Sequence, residues 1–209
     1  MTLAPERILD VIHRRRSVRA YAERQPSASL VRKLLEAAVH APTAMHREPW
    51  GFAIVQDRAA LKRYSDRAKA MLRAPAQRTV GWGSATPPHG EHLAMLDDPA
   101  FNIFYDAGTL VVICRRGGGA FAEADCWLAA QTLMLAATSK GLASCCIGFA
   151  VPVLNTPAVK RELGIPPKGA AVAPIILGYP RGATPSVPRK PPAVLSWTGR
   201  AARRAASRT

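Results

Sequence analysis

Apolar residues Ile8, Leu9 and Ile12 recur at helical spacing ahead of an arginine cluster, which predicts a short amphipathic helix near residues 5–15. Ser27, behind Pro26, is placed to cap a second helix. That helix carries Leu30, Val31, Leu34, Leu35 and Ala38 on one face and must stop before Pro42. The pattern then turns irregular through APTAMHREPW. Phe52, Ala53, Ile54 and Val55 form a brief apolar run between Gly51 and Asp57, the mark of a buried strand, and Leu61, Tyr64, Ala68 and Leu72 restore the helical period over residues 58–74. Periodicity fails again in residues 75–105, where GWGS, TPPHG and DDPAF are rich in turn formers and only a weak helical segment near 91–97 interrupts them. This stretch is expected to be a variable lid or substrate loop.

Residues 109–114 are an unbroken β-prone run, hence a central strand, and the glycines at 117–119 separate them from a long apolar helix near 121–140 that Lys140 and Gly141 end. A short strand around 144–147, a helix opened by Thr156 and Pro157 and stopped at Gly164, and a strand over 171–177 complete the core. The remainder of the chain is extended, rich in proline and then arginine. With no repeat and no compositional break inside residues 5–178, the pattern predicts one domain of helices covering a central sheet.

The 209 residues are 48% hydrophobic and 21% charged, which excludes a predominantly disordered chain and suffices for a substantial core. No apolar run approaches the roughly 18 residues of a membrane-spanning helix. The N-terminal segment places its charges after its apolar residues, the reverse of a secretory leader, so a cytoplasmic location is expected. Cys114, Cys126, Cys145 and Cys146 form no CxxC pair and read as reduced, mostly buried thiols. A net charge of +15 invites polyanions, but part of it lies in GRAARRAASRT (residues 199–209), a solvated, disordered tail by composition. Aromatics at 6% offer no base-stacking platform, so specific nucleic-acid binding is disfavoured.

There is no GxGxxG, GxxxxGK, HExxH or GxSxG, so the commonest nucleotide, zincin and hydrolase sites lose support. His89 and His92, with Glu91 and Asp97 nearby, suit a solvated polar loop better than a metal site, His13 a helix surface, and His40 a helix C-terminus. Two clusters carry chemistry. RRRSVRAY (14–21) can aim guanidinium forks and a hydroxyl at one phosphate-bearing ligand, although composition alone favours a wet basic helix end. APTAMHREPWGF (41–52) gathers Pro, Thr, His, Glu and Trp in one loop before a buried strand, equally a structural turn with Trp50 capping the core.

In this order and spacing, RRSVRAY (15–21) and APTAMHREPW (41–50) resemble the arginine-rich segment and the APSxxNxQPW loop of the FMN-dependent nitroreductase family. GLASCCIGF (141–149) is similar to that family's glycine-containing strand at the flavin edge, and PRKPP (188–192) to its C-terminal basic motif. The resemblance implies a three-layer α+β nitroreductase-like fold over residues 1–198, with a mixed or antiparallel sheet covered by helices, in an obligate homodimer whose FMN sites lie at the interface. It implies cofactor-binding roles for Arg15 at the phosphate, for Arg16 and Ser17, and for Arg19 near the pyrimidine ring. Pro42, Thr43, Ala44 and His46 would reach the flavin of the other subunit. Cys146, Ile147, Gly148 and Phe149 would also bind the cofactor, the Gly148–Phe149 backbone facing the flavin N5, and Arg189 would be the second phosphate arginine.

The implied activity is an oxidoreductase passing hydride from NAD(P)H through flavin N5 to a nitroaromatic, quinone or similar small acceptor by a ping-pong route, with no catalytic side chain and no metal. Other readings of the same chain are a flavin-consuming, dehydrogenating or ene-reducing relative, or a non-enzymatic flavin- or polyanion-binding protein. The chain departs from the family pattern at His46 and Glu48, which stand where many relatives carry Asn and Gln.

Overall fold

The computed structural model describes residues 5–73 and 94–198. Two interior strands organise it. β2 (Thr109–Arg115) is buried along nearly its whole length, as its unbroken apolar run demands, and β4 (Ala170–Gly178) lies beside it. β1 (Trp50–Val55) flanks β2 and β3 (Ala143–Cys146) flanks β4, giving the order β1-β2-β4-β3 with every pair antiparallel. The sheet is thus antiparallel rather than mixed. The isolated Ser17–Ser144 bridge, which ties residue 17 to β3, is parallel.

Alternation along β2 sends successive side chains to opposite faces and so builds two cores. Leu110, Val112 and Cys114 pack with Leu61, Tyr64, Ala68 and Leu72 of α3 (Arg58–Arg73), while Val111 and Ile113 pack with Val31, Leu34 and Ala38 of α2 (Ala28–Ala38) and Cys126, Ala129 and Leu133 of α4 (Ala122–Ser139). Helices on both faces of one sheet give the three layers expected. α1 (Pro5–Arg14) precedes them, and α6 (Pro157–Glu162) adds Val159 to the first core.

The helix ends obey local chemistry. Ser27 accepts a hydrogen bond from Leu30 N at 3.2 Å and Thr156 one from Val159 N at 3.4 Å, each oxygen meeting a donor that the first turn leaves free. At the end of α4, Gly141 takes a left-handed φ of 72°, which lets Leu142 N reach back to Ala137 O at 2.9 Å.

Pro174 shapes the sheet where the site lies. Ile147 N donates to Pro174 O at 2.9 Å, but proline has no N–H to return, so the second bond of that pair is missing. The β3 ladder ends one step earlier, at Cys146 opposite Ile175, and the chain turns away at Ile147 into a 3-10 turn, Gly148–Ala150. A one-turn helix α5 (Val151–Leu154) comes next, unanticipated because VPVL has no helical period to read.

Of the weak helix expected near 91–97, Ala94 is helical, Met95–Asp97 follow as a 3-10 turn, and residues 91–93 lie outside the described residues. So do residues 74–90, which include His89, and the tail 199–209.

Candidate functional site

Beyond α1 the chain runs extended over residues 15–22, laid against the ends of β3 and β4. Val18 N donates to Ser144 O at 3.1 Å, Ala22 N to Tyr179 O at 2.9 Å, and Arg181 N to Ala20 O at 2.9 Å. An extended segment alternates its side chains. Val18 and Tyr21 are buried, and Tyr21 Oη donates to Val18 O at 2.8 Å. Arg15, Ser17 and Arg19 share a neighbour in Cys145: burial pushes its thiol up, and Arg19, a Ser17 hydrogen bond and Arg15 oppose the rise. Arg16 faces elsewhere. It donates to the carbonyls of His13 and Arg15, and with Arg14 it lines a separate cavity of about 300 Å³ beside Thr138, Gly141, Leu142 and Pro180.

A cavity of about 180 Å³ opens where β3 leaves the sheet. Arg19, Cys145, Cys146, Ile147, Gly148 and Phe149 line it, joined by Ile103 and Tyr105. The Arg19 guanidinium sits 5.8 Å from the centroid of the Tyr105 ring, and Phe101 meets that ring edge-on at 5.5 Å. Tyr105 and Asp106 hold left-handed backbones, φ 52° and 54°, which the surroundings must enforce. Ser65 Oγ accepts from Ile103 N at 3.0 Å, and the buried Lys69 ammonium donates to the carbonyls of Asp98, Pro99 and Phe101, the last at 2.7 Å. Arg58 donates to Asp106 O at 3.0 Å.

The loop of residues 41–50 forms a different wall. Trp50 is buried in the second core, whereas Pro42 and His46 are exposed and line none of these cavities. Ala44, Met45, Arg47 and Pro49 border a third cavity of about 300 Å³ with Gly118, Phe121 and Asp125. Met45, His46 and Glu48 have positive φ values of 54°, 51° and 41°. Arg116 ties the loop's far end, its guanidinium donating to Glu48 O at 3.0 Å and its backbone N to Pro49 O at 2.8 Å.

Within one chain, then, the fold brings Arg15, Ser17 and Arg19 to residues 145–149. It leaves Arg16 on another face, residues 42–46 beside α4, and Arg189 on an exposed arm lining none of the three cavities. Ile103, Tyr105 and Asp125 are additions that motif reading missed. NIFYD offered a faint signal, aromatic and apolar residues between an Asn and an Asp whose side chains bond each other at 2.9 Å. Among the described residues no group of three His, Cys, Asp or Glu side chains is placed to hold a metal ion, and no helix is long and apolar enough to cross a membrane.

A three-layer α+β domain with an arginine- and aromatic-lined crevice at a sheet edge defines the class, and comparison with known proteins gives it a family. The chain belongs to the nitroreductase family, whose sequence profile matches residues 12–179. It is 29% identical over 177 residues to an Archaeoglobus fulgidus protein named provisionally as an NADH dehydrogenase/NAD(P)H nitroreductase, covering 84% of this chain and 87% of that one. It is 25% identical over 193 residues to the iodotyrosine deiodinase of Thermotoga neapolitana, covering 87% and 93%. Among solved structures, a Bacteroides fragilis nitroreductase with bound FMN is similar at 29% identity and a TM-score of 0.74, covering 91% and 97%. Enzymes of this family are oxidoreductases.

Proposed function

We propose that this chain is an FMN-dependent oxidoreductase, acting in the cytoplasm as a homodimer, with one domain over residues 1–198 and a basic tail over 199–209. The observation that carries the reading is the gathering of Arg15, Ser17 and Arg19 around Cys145, with Arg19 lining the Cys145–Phe149 crevice. The donor set suits a flavin nucleotide, with guanidiniums for the phosphate and the pyrimidine edge and an apolar wall of Ile103, Tyr105, Ile147 and Phe149 for the ring. At about 180 Å³ within one chain, the crevice is smaller than the roughly 300–1,000 Å³ of cofactor sites, and in this reading a second subunit's loop 42–46 adds to it.

Held there, FMN would supply hydride transfer at N5 between NAD(P)H and a nitroaromatic, quinone or similar small acceptor, in ping-pong order. Arg15, and Arg189 brought in from the exposed arm, would hold the phosphate, and Arg16 steadies the backbone of the same segment through its bonds to His13 and Arg15. Arg19 sets its positive charge at the pyrimidine edge, where it favours the electron-rich form. The Gly148–Phe149 backbone presents the N5 edge, and the apolar wall excludes water. The similarity to a deiodinase supports a second reading, reductive dehalogenation of an aromatic acceptor at the same site.

The test is direct. The purified protein is expected to be yellow, absorbing at about 450 nm, to bleach anaerobically with NAD(P)H and to recover colour with a nitroaromatic. Charge-assisted phosphate contacts are worth about 1.5–3 kcal/mol each, so Arg15→Ala with Arg189→Ala should release FMN from a folded protein. Full flavin retention in that double variant, or a colourless protein that cannot be reconstituted, overturns the assignment.

A further inference from the structure

We propose that Asp125 is a positioning residue for the loop 42–46. Its carboxylate, carried on α4, caps the short turn Ala44–His46 from outside and holds it in the shape that meets the cofactor. The inference rests on the flavin reading above and adds a residue to it.

The turn is poorly equipped to hold itself. Thr43, at its N-cap, makes no side-chain capping bond. Its internal bonds, His46 N to Thr43 O at 3.4 Å and Arg47 N to Ala44 O at 3.3 Å, are longer than the usual range. Met45 and His46 both sit in the left-handed region, where a Cβ is disfavoured and which persists only when the surroundings over-determine it. The first N–H of such a turn has no partner within the turn. Here that donor is Ala44 N, and it donates to Asp125 Oδ1 at 3.2 Å across 81 positions of sequence.

From the other side, Asp125 belongs to the first turn of α4, where the helix field favours an acid, but it does not cap that helix. Phe121 occupies the N-cap of α4, and Asp125 lies three residues inside the helix from Ala122, beyond reach of capping it. Its neighbours Ala122, Cys126 and Ala129 are buried and apolar, and Asp125 itself is only 4% exposed. It forms no ion pair among the described residues. A buried carboxylate without a cation is costly unless hydrogen-bonded. The Ala44 N–H supplies that bond, and the N-terminal end of α4 supplies a favourable field. Loop and helix therefore each meet a need of the other.

The experiment combines three variants with two readouts on the full chain. Hydrogen exchange of the peptide spanning 41–49 reports the Ala44 amide, and FMN titration of the apoprotein reports the site. Asp125→Ala should speed Ala44 exchange and weaken FMN by roughly tenfold to a hundredfold, as expected for losing a hydrogen bond to a charged group. Asp125→Asn keeps an acceptor oxygen but no charge, so it should recover most of both losses, which a role of charge alone would not. Ala44→Pro deletes the donor instead, and Thr43 already has the extended backbone (φ −132°, ψ 147°) that precedes proline. Combined with Asp125→Ala, it should cost no more than the worse single change. Unchanged Ala44 exchange in Asp125→Ala, additive losses in the double variant, or native FMN affinity despite faster exchange overturns the proposal. If the native chain itself binds no FMN, the cofactor reading falls on its own, and the exchange rates alone decide whether Asp125 caps the turn.

Discussion

At the scale of single residues, the thiols show how burial sets chemistry. Cys126, fully buried on α4, has its pKa pushed by desolvation from an ordinary 9.0 to about 12, with nearby Cys114, Asp125 and Glu123 adding to the rise. Cys146 is raised to about 11, again chiefly by burial. Both are neutral near pH 7 and poor nucleophiles. A folded-state pKa above the unfolded one contributes stability that is whole below about pH 9 and is lost as pH climbs toward about 12. Cys126→Ala removes that titration. Urea midpoints of native chain and variant should differ by a constant from pH 6 to 8, and above about pH 9 the native chain should lose stability relative to the variant. Parallel pH profiles through pH 11 would contradict a neutral buried thiol.

Among the elements, legibility tracked the range of the forces involved. Helices opened by Ser27 and Thr156, and those closed near Gly141 and Gly164, were readable because each boundary depends on one side chain or one backbone angle a few residues away. Residues 98–106 were not readable, since their shape is imposed from outside by Lys69, Ser65 and Arg58 on α3, and with them Ile103 and Tyr105 escaped notice. The arginine segment was recognisable as a motif, but the division between Arg15 and Arg16 appeared only once its strand-like docking fixed which way each points. That docking has one close-fitting joint: a Cβ on Gly178 would lie 2.7 Å from Tyr21 Cδ1, a ring buried beneath the segment. Gly178→Ala should therefore destabilise the fold by about 1–3 kcal/mol and loosen residues 15–22 together with Arg19. In a Tyr21→Ala background the same change should cost under about 0.5 kcal/mol. Equal penalties in both backgrounds, measured by denaturation, would place the clash elsewhere.

On the scale of the whole molecule, the proposed cofactor site would be unfinished within a single chain. Arg19 lines one crevice, Ala44 and Met45 of the loop border another, and apolar side chains stand out in water between elements: Ile8, Leu9 and Ile12 on α1, Met45 on the loop, Phe121 before α4, and Trp127 and Leu128 on α4. Exposed apolar residues singly are ordinary, but a series on two packed helices and the adjoining loop calls for a partner surface. A twofold dimer built on α1 and α4 would bury that face and bring one protomer's loop to the other's crevice. Cofactor binding and association are then linked, so the apparent FMN affinity should weaken as the protein is diluted through its dimer dissociation range. Leu128→Arg with Trp127→Glu should yield a monomer by light scattering, with native far-UV circular dichroism and FMN affinity reduced by at least roughly tenfold. A folded monomer that retains its flavin as tightly as the native chain would show that one subunit holds the whole site, and the role assigned to residues 42–46 would have to be abandoned while that of Arg15 and Arg19 stood.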